Sequence, residues 1–358
     1  MSKHLPHMNI VRPQPILDDL EVVPVKRITD RAWAVEALLE GEYLLVDDFY
    51  STGLDILAAL KNRLKKVQKG LSYQGERAFR SQYQEVSQRL LVCIENRKLA
   101  LSKAPTIGWI ERLYPELTDF LLPFPQVQGL NSSWQWYCNG IQLPILQDPI
   151  HPYFGTYFPT RFDHLDLFSH WLKQYRGPRK TAVDVGTGCG VLALHLLQQG
   201  FETAYATDIN PNAILSVEGE RSTRKLEARL SLENVDLMGR YEGTTDLIIF
   251  NPPWLPGPTH SQLDKAIYYD EALFERFFTA ARKHLTPESR LVFLFSNLLK
   301  SADTRASHPI EAELGEGSRF RLVERLERKV RPGSKKTRRS NKTRENERVE
   351  LWSLALKN

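Results

Sequence analysis

Four consecutive residues, Asn251-Pro252-Pro253-Trp254, have the composition of a site for a weak nitrogen nucleophile. An amide or exocyclic amine delocalises its lone pair into a π system and attacks poorly. To make it react, a pocket must turn that lone pair outward by holding both N–H bonds. The side-chain oxygen of Asn251 and the backbone carbonyl of Pro252 can accept one bond each, and they also stabilise positive charge developing on the nitrogen. The two prolines stiffen the turn. The Trp254 ring offers a flat surface to a planar group. Taken alone, the same four residues could equally be a rigid turn with a Trp packed in the core, so their surroundings decide the matter.

Those surroundings contain a second constellation. Thr181-Ala-Val-Asp184-Val-Gly186-Thr187-Gly188-Cys189-Gly190 reads as a strand that runs into a glycine turn and opens a helix. Three glycines at two-residue spacing let the backbone pass close to a ligand and take torsions closed to other residues. The spacing is G-x-G-x-G, whereas a dinucleotide pyrophosphate is seated by G-x-G-x-x-G. Asp184 stands two positions before the first glycine, poorly placed beside phosphates but well placed to hold a cationic amino-acid portion through water or an amine. The next strand ends in Asp208-Ile209. An acid there, about 20 residues after the glycine turn, can take both hydroxyls of a ribose. After a third strand comes Asp236, which could accept from an adenine amino group. Each acid alone could be a solvated strand end or a helix cap. Three in register on successive strands point to one ligand.

With these residues assembled, 180–300 resembles the class I S-adenosylmethionine-dependent methyltransferases. Asp184 with the Gly186, Thr187, Gly188 and Gly190 turn is similar to their first motif, Asp208 to their ribose-binding acid and Asp236 to their adenine-binding acid. Asn251 to Trp254 stands after the fourth strand, where that family keeps its (N/D)-P-P-(Y/F/W) motif. The resemblance implies S-adenosyl-L-methionine as cofactor. It implies Asn251, Pro252, Pro253 and Trp254 as the catalytic group, with Asn251, Ile209 and the residues above lining the cofactor site, and methylation of a planar nitrogen. No metal is implied. Ahead of the first motif, Phe158-Pro159-Thr160-Arg161-Phe162-Asp163 is similar to a Pro-Arg stretch in protein-glutamine methyltransferases of release factors and a ribosomal protein. Here Asp163-His164 stands where an acid–Thr pair is usual. The same core also resembles methyltransferases of ribosomal RNA bases.

The elements that must carry these residues follow from periodicity. From Lys180 onward strand and helix patterns alternate, which predicts a parallel sheet covered by helices. Strands are expected at 181–185, 203–207, 229–232, 246–250 and 290–295, and helices near 190–199, 211–226 and 270–285. Two strand-like runs, 320–330 and 348–356, have no helix between them and predict a terminal antiparallel hairpin. The expected fold class is thus α/β: a Rossmann-like, seven-stranded, mostly parallel sheet, plus a smaller and mainly helical N-terminal domain.

The domain plan read from the sequence is a Pro-rich extended arm (1–30), a helical domain (31–130), a β-hairpin linker (131–160) and the methyltransferase domain (161–358). Leu57, Leu60, Leu64 and Val67 recur at helical spacing, and further helix is expected through Val86, Leu90, Leu91 and Ile94 until Pro115, Pro123 and Pro125 break it. Trp134 to Cys138 alternates, Asn139-Gly140 is a hairpin turn signal, and Ile141 to Ile145 alternates again. An amphipathic helix is expected from Arg161 to Tyr175.

Charge is unevenly placed. The 358 residues carry a net +5, yet nine of the seventeen residues from Arg328 to Arg344 are Lys or Arg; removing those nine positive charges leaves −4. Such a run could grip RNA phosphates or be a solvated loop, and it is expected to join the terminal strands away from the glycine turn. The expected partner is a macromolecule of the translation apparatus, a protein glutamine or an RNA base, with no membrane. A metabolite acceptor, or a binding factor that has kept the fold without catalysis, are the competing readings. Neither a signal peptide nor a membrane-spanning apolar run is apparent, and Cys93, Cys138 and Cys189 form no CxxC pair, so a cytoplasmic location is expected. His164 and His170 are expected to be half-buried structural residues, Tyr268-Tyr269-Asp270 a helix start capped by Asp270, and Cys189 a small packing residue in the turn.

Overall fold

The computed structural model describes residues 9–17, 19–67, 73–257, 268–298, 307–331 and 347–357. Its contacts divide the chain into two units, Arg12–Trp136 and a second made of Met1–Val11 with Tyr137–Asn358. Among the described residues no helix is long and apolar enough to cross a membrane.

The larger unit is built on the predicted sheet. Strands β6 (Thr181–Val185), β7 (Thr203–Asp208), β8 (Leu230–Asn234), β9 (Thr245–Phe250) and β12 (Leu285–Ser296) run parallel. β13 (Phe320–Lys329) and β14 (Arg348–Leu356) add the antiparallel pair, giving the order β13-β14-β12-β9-β6-β7-β8. The central strands read as short continuous apolar runs because both faces are covered. Ala182, Leu247, Ile249, Val292 and Leu294 pack toward α6 (Asp163–Gln174) and α7 (Val191–Gln198). The alternate residues Val183, Ile248, Phe250, Leu291 and Phe293 meet Phe274, Phe277 and Phe278 of α9 (Leu273–Arg282). On the first face α8 (Pro211–Thr223) is started by Asn210, whose side chain accepts from the Asn212 amide, with Pro211 at a position where its missing N–H costs nothing. Asn212 in turn exchanges hydrogen bonds with the backbone of Val11.

The smaller unit is mainly helical by residue count, with α1 (Arg31–Glu40), α2 (Tyr50–Val67), α3 (Tyr73–Ser87) and α4 (Trp109–Leu113). It nevertheless holds a five-stranded sheet that periodicity did not predict: β1 (Val23–Val25), β2 (Leu44–Val46), β3 (Leu90–Glu95), β4 (Lys98–Leu99) and β5 (Phe120–Pro123). Helix was expected through Leu90, Leu91 and Ile94. In fact Leu90 to Ile94 is one apolar run that pairs on both sides, with β2 and β5, as a buried strand does. The stretch expected to be only an extended arm supplies β1.

The expected β-hairpin at 131–160 is absent: α5 runs Phe124–Asn139. Pro125 does not break it, because a proline in the first turn lacks only an N–H that would have no helical partner. Gly140 takes the left-handed conformation its signal called for (φ +71), directly after a helix instead of between strands. Ile141 then pairs with Ile150 through a single antiparallel bridge.

Candidate functional site

A cavity of about 820 Å³ opens at the C-terminal ends of β6, β7 and β9, the usual ligand position in an open α/β sheet. The glycine turn forms its floor. Gly186, Gly188 and Gly190 all have positive φ (+65, +53 and +80). A Cβ on Gly188 would stand 3.1 Å from the Tyr157 carbonyl, and one on Gly190 would stand 2.9 Å from the Val217 side chain. The turn therefore admits no side chain at either position without displacement. Cys189 is buried within it, as expected.

Asp184 lies behind the turn and does not line the cavity. One carboxylate oxygen accepts from the Thr187 hydroxyl (2.7 Å) and from the Ala193 amide of α7 (3.0 Å), so it ties the turn to the helix that follows. Its other oxygen is buried with no hydrogen-bond partner. Burial pushes this carboxyl up to about 7. Thr187 itself lines the cavity.

Asp208 ends β7 and does face the cavity. Its two oxygens accept from the Gly188 amide (2.9 Å) and the Asn210 amide (2.8 Å), which fixes the carboxylate across the glycine turn. Burial also raises its pKa. Ile209 beside it is exposed at 44% and lines the cavity. Asp236, past β8, stands at the same end. It is ion-paired to Arg276 of α9, which also approaches Asp270 at 3.5 Å.

The other wall carries Asn251, Pro252, Pro253 and Trp254. The Trp254 indole N–H donates to the Asn251 side-chain oxygen (3.2 Å) and lies 3.3 Å from the Leu294 carbonyl. Trp254 thus does more than offer a face. It fixes the rotamer of Asn251 and is itself anchored to β12, with its ring half-buried against both core layers.

Sequence reasoning missed a third group. Arg161, Asp163 and His164, at the entry to α6, line the cavity together with Val330, Glu347 and Val349 from the ends of β13 and β14. Arg161 pairs with the buried Glu347 (2.9 Å). Arg331 reaches Asp166 (3.0 Å) and Asp163 (3.6 Å), and Arg328 approaches Asp166 at 3.5 Å. The described end of the basic run, Arg328 to Arg331, therefore stands beside residues that line this cavity, whereas the loop was expected to lie away from the glycine turn. Residues 332–346 lie outside the described residues. His164 is 3% exposed and not half-buried as expected, while His170 is exposed and next to Gln174. Tyr268-Tyr269 is not a helix start but β11, paired with β10 (Leu255–Pro256). Asp270 accepts from the Ala272 amide just before α9. A charged residue beside a glycine turn is a usable signal; nothing local marks Arg276 or Glu347, which the fold brings in from elsewhere in the chain.

Residues 163–321 match the methyltransferase small domain family. Ribosomal protein L11 methyltransferase of Carboxydothermus hydrogenoformans is 39% identical over 80 residues, 22% of this chain and 26% of the relative. Release factor glutamine methyltransferase of Corynebacterium glutamicum is 27% identical over 156 residues, 41% of this chain and 53% of the relative. The chain thus spans about a quarter to about half of the length of these curated relatives. A ribosomal protein L11 methylase structure from Lactobacillus delbrueckii subsp. bulgaricus is 19% identical with a TM-score of 0.40, over 61% of this chain and 91% of that one.

Proposed function

We propose that the methyltransferase domain uses S-adenosylmethionine to methylate a planar nitrogen, the amide of a protein glutamine or the exocyclic amine of an RNA base, on a macromolecule of the translation apparatus. The carrying observation is that Asn251-Pro252-Pro253-Trp254 and the glycine turn with Asp208 line one cavity. The residues fit the cofactor: a floor closed to side chains at Gly188 and Gly190 and a fixed carboxylate at the end of β7 that faces the cavity. S-adenosylmethionine would supply a methyl group activated on a sulfonium.

The chain's own residues would act as follows. Asp208 takes the ribose hydroxyls with the lone pairs its two amide bonds leave free. Asp236, held by Arg276, accepts from the adenine amine. Asp184 acts through the turn it braces, because its carboxylate lies behind the cavity wall. The Asn251 oxygen, pinned by Trp254, and the Pro252 carbonyl accept the two N–H bonds of the acceptor and aim its lone pair at the methyl group. Their orientation is set before substrate arrives, so little reorganisation is left for the transition state. The names of the two relatives, one acting on a ribosomal protein and one on a release factor glutamine, favour a translation component and with it the cytoplasm. Incubating the protein with labelled S-adenosylmethionine and total cell RNA or total cell protein tests this reading. Label in one of the two fractions is expected; label in neither, with cofactor bound, would refute it.

A further inference from the structure

We propose that His164 is the proton acceptor of the methyl transfer, an inference that rests on the N-methylation reading above. His164 is the second residue of α6 and lines the cavity. Its ring meets Trp254 edge to face, with centroids 5.6 Å apart and planes at 89°. The Trp254 indole N–H is the group that holds the Asn251 oxygen. The imidazole therefore stands one ring away from the atom that orients the acceptor nitrogen. Its ring nitrogens hydrogen-bond to no described residue, yet neither is among the fully buried atoms that lack a partner. They keep some accessible surface, on a residue that lines the cavity. The other buried histidines differ: His308 is bonded to Glu350, and both His195 nitrogens are sealed in the core away from the cavity.

The chemistry requires such a group. The N–CH₃ bond forms as the S–CH₃ bond breaks, leaving a thioether and a nitrogen that carries the new methyl, both hydrogens and a positive charge. One N–H bond then breaks, its electron pair returns to the nitrogen, and the proton passes to the free lone pair of His164 and on to water. The Asn251 and Pro252 oxygens hold the hydrogens but are too weakly basic to keep a proton. A conjugated nitrogen alkylated in this way is a far stronger acid than an imidazolium, so even a weak base receives the proton downhill. Burial holds the imidazole neutral, with its pKa down at about 4, which keeps it ready throughout the neutral range. The charged groups around it are Asp163 and Asp166 on its own helix, Arg161 before it, Arg331 past β13 and Glu347 before β14. Arg161 is paired with Glu347, and Arg331 with the two aspartates, so these charges largely offset one another. Asp163 is the alternative base, but its carboxylate is engaged in an ion pair with Arg331 at 3.6 Å.

The test uses His164→Asn and His164→Ala in the full chain, with labelled S-adenosylmethionine and whichever of total cell RNA or total cell protein the wild type labels. Asn can hydrogen-bond but cannot take a proton. Turnover at pH 7.5 should fall on the order of 100-fold in both variants, while S-adenosylmethionine affinity, read by calorimetry, stays within about twofold. Added imidazole should restore part of the turnover of His164→Ala, in proportion to its unprotonated fraction, which a packing role would not produce. Turnover of His164→Asn near the wild-type value would overturn the proposal. So would a His164→Ala variant that binds the cofactor normally and gains nothing from imidazole, or one that loses cofactor binding. If the wild type binds cofactor and labels neither fraction, the N-methylation reading itself fails, and this one with it.

Discussion

Replacing Asp208 with Ala separates a cofactor role from a purely local one. In the structure its carboxylate bridges the amides of Gly188 and Asn210, and the same two oxygens are those proposed to take the ribose hydroxyls. Removing it deletes charge-assisted hydrogen bonds that contribute roughly 1.5–3 kcal/mol to binding. At about 1.4 kcal/mol per tenfold change in affinity, this corresponds to a dissociation constant raised roughly 10- to 150-fold. The Gly188 amide also loses its acceptor, so some loss of thermal stability should accompany the weaker binding. Isothermal calorimetry with S-adenosylmethionine is the assay, run on a variant whose circular dichroism and melting transition show it folded. A folded variant with unchanged affinity would refute the assignment of Asp208 and of the β7 end as the ribose site.

Two further outcomes follow from the charges. The folded chain keeps the Asp184 proton up to about pH 7, whereas the unfolded chain, with the ordinary value of 3.8, has already released it. Burying this group therefore costs progressively more stability as pH rises between those values. Asp184→Asn keeps an oxygen for Thr187 and Ala193 and does not titrate, so its melting temperature should gain on the cofactor-free wild type between pH 5 and pH 8; a gap constant with pH would contradict the burial argument. For the basic run, the four-site neutralisation of Lys335, Lys336, Arg338 and Arg339 should weaken RNA binding and flatten its salt dependence by up to roughly 4 units of slope. Superimposable salt titrations would leave the run as solubilising charge.

How legible each part was depended on whether the deciding forces were local. β6 and β14 were read with the bounds observed, because a buried strand in a covered sheet is a short apolar run closed by turn residues. Asn251 and Asp208 were placed correctly on strand ends for the same reason. The Trp134–Leu146 hairpin failed because alternation over five residues also fits one face of a helix, and the Asn139-Gly140 signal specifies a positive φ without saying what precedes it. Leu90 to Ile94 failed in the opposite sense: its spacing fits a helix, and only pairing with β2 and β5 makes it a strand. Asp184 showed a carboxylate near the turn but not that it braces Thr187 and Ala193 without lining the cavity. The Arg161–Glu347 pair joins residues 186 positions apart, and no spacing rule reaches that far.

The central claim is that Asn251 works on the acceptor nitrogen in the transition state. Asn251→Ala removes the oxygen that Trp254 holds, while the Trp254 N–H keeps the Leu294 carbonyl at 3.3 Å, so the turn should persist. Turnover of labelled methyl into the accepting fraction should drop roughly 100-fold or more, with S-adenosylmethionine affinity little changed. A folded Asn251→Ala variant with near-normal turnover would contradict the account.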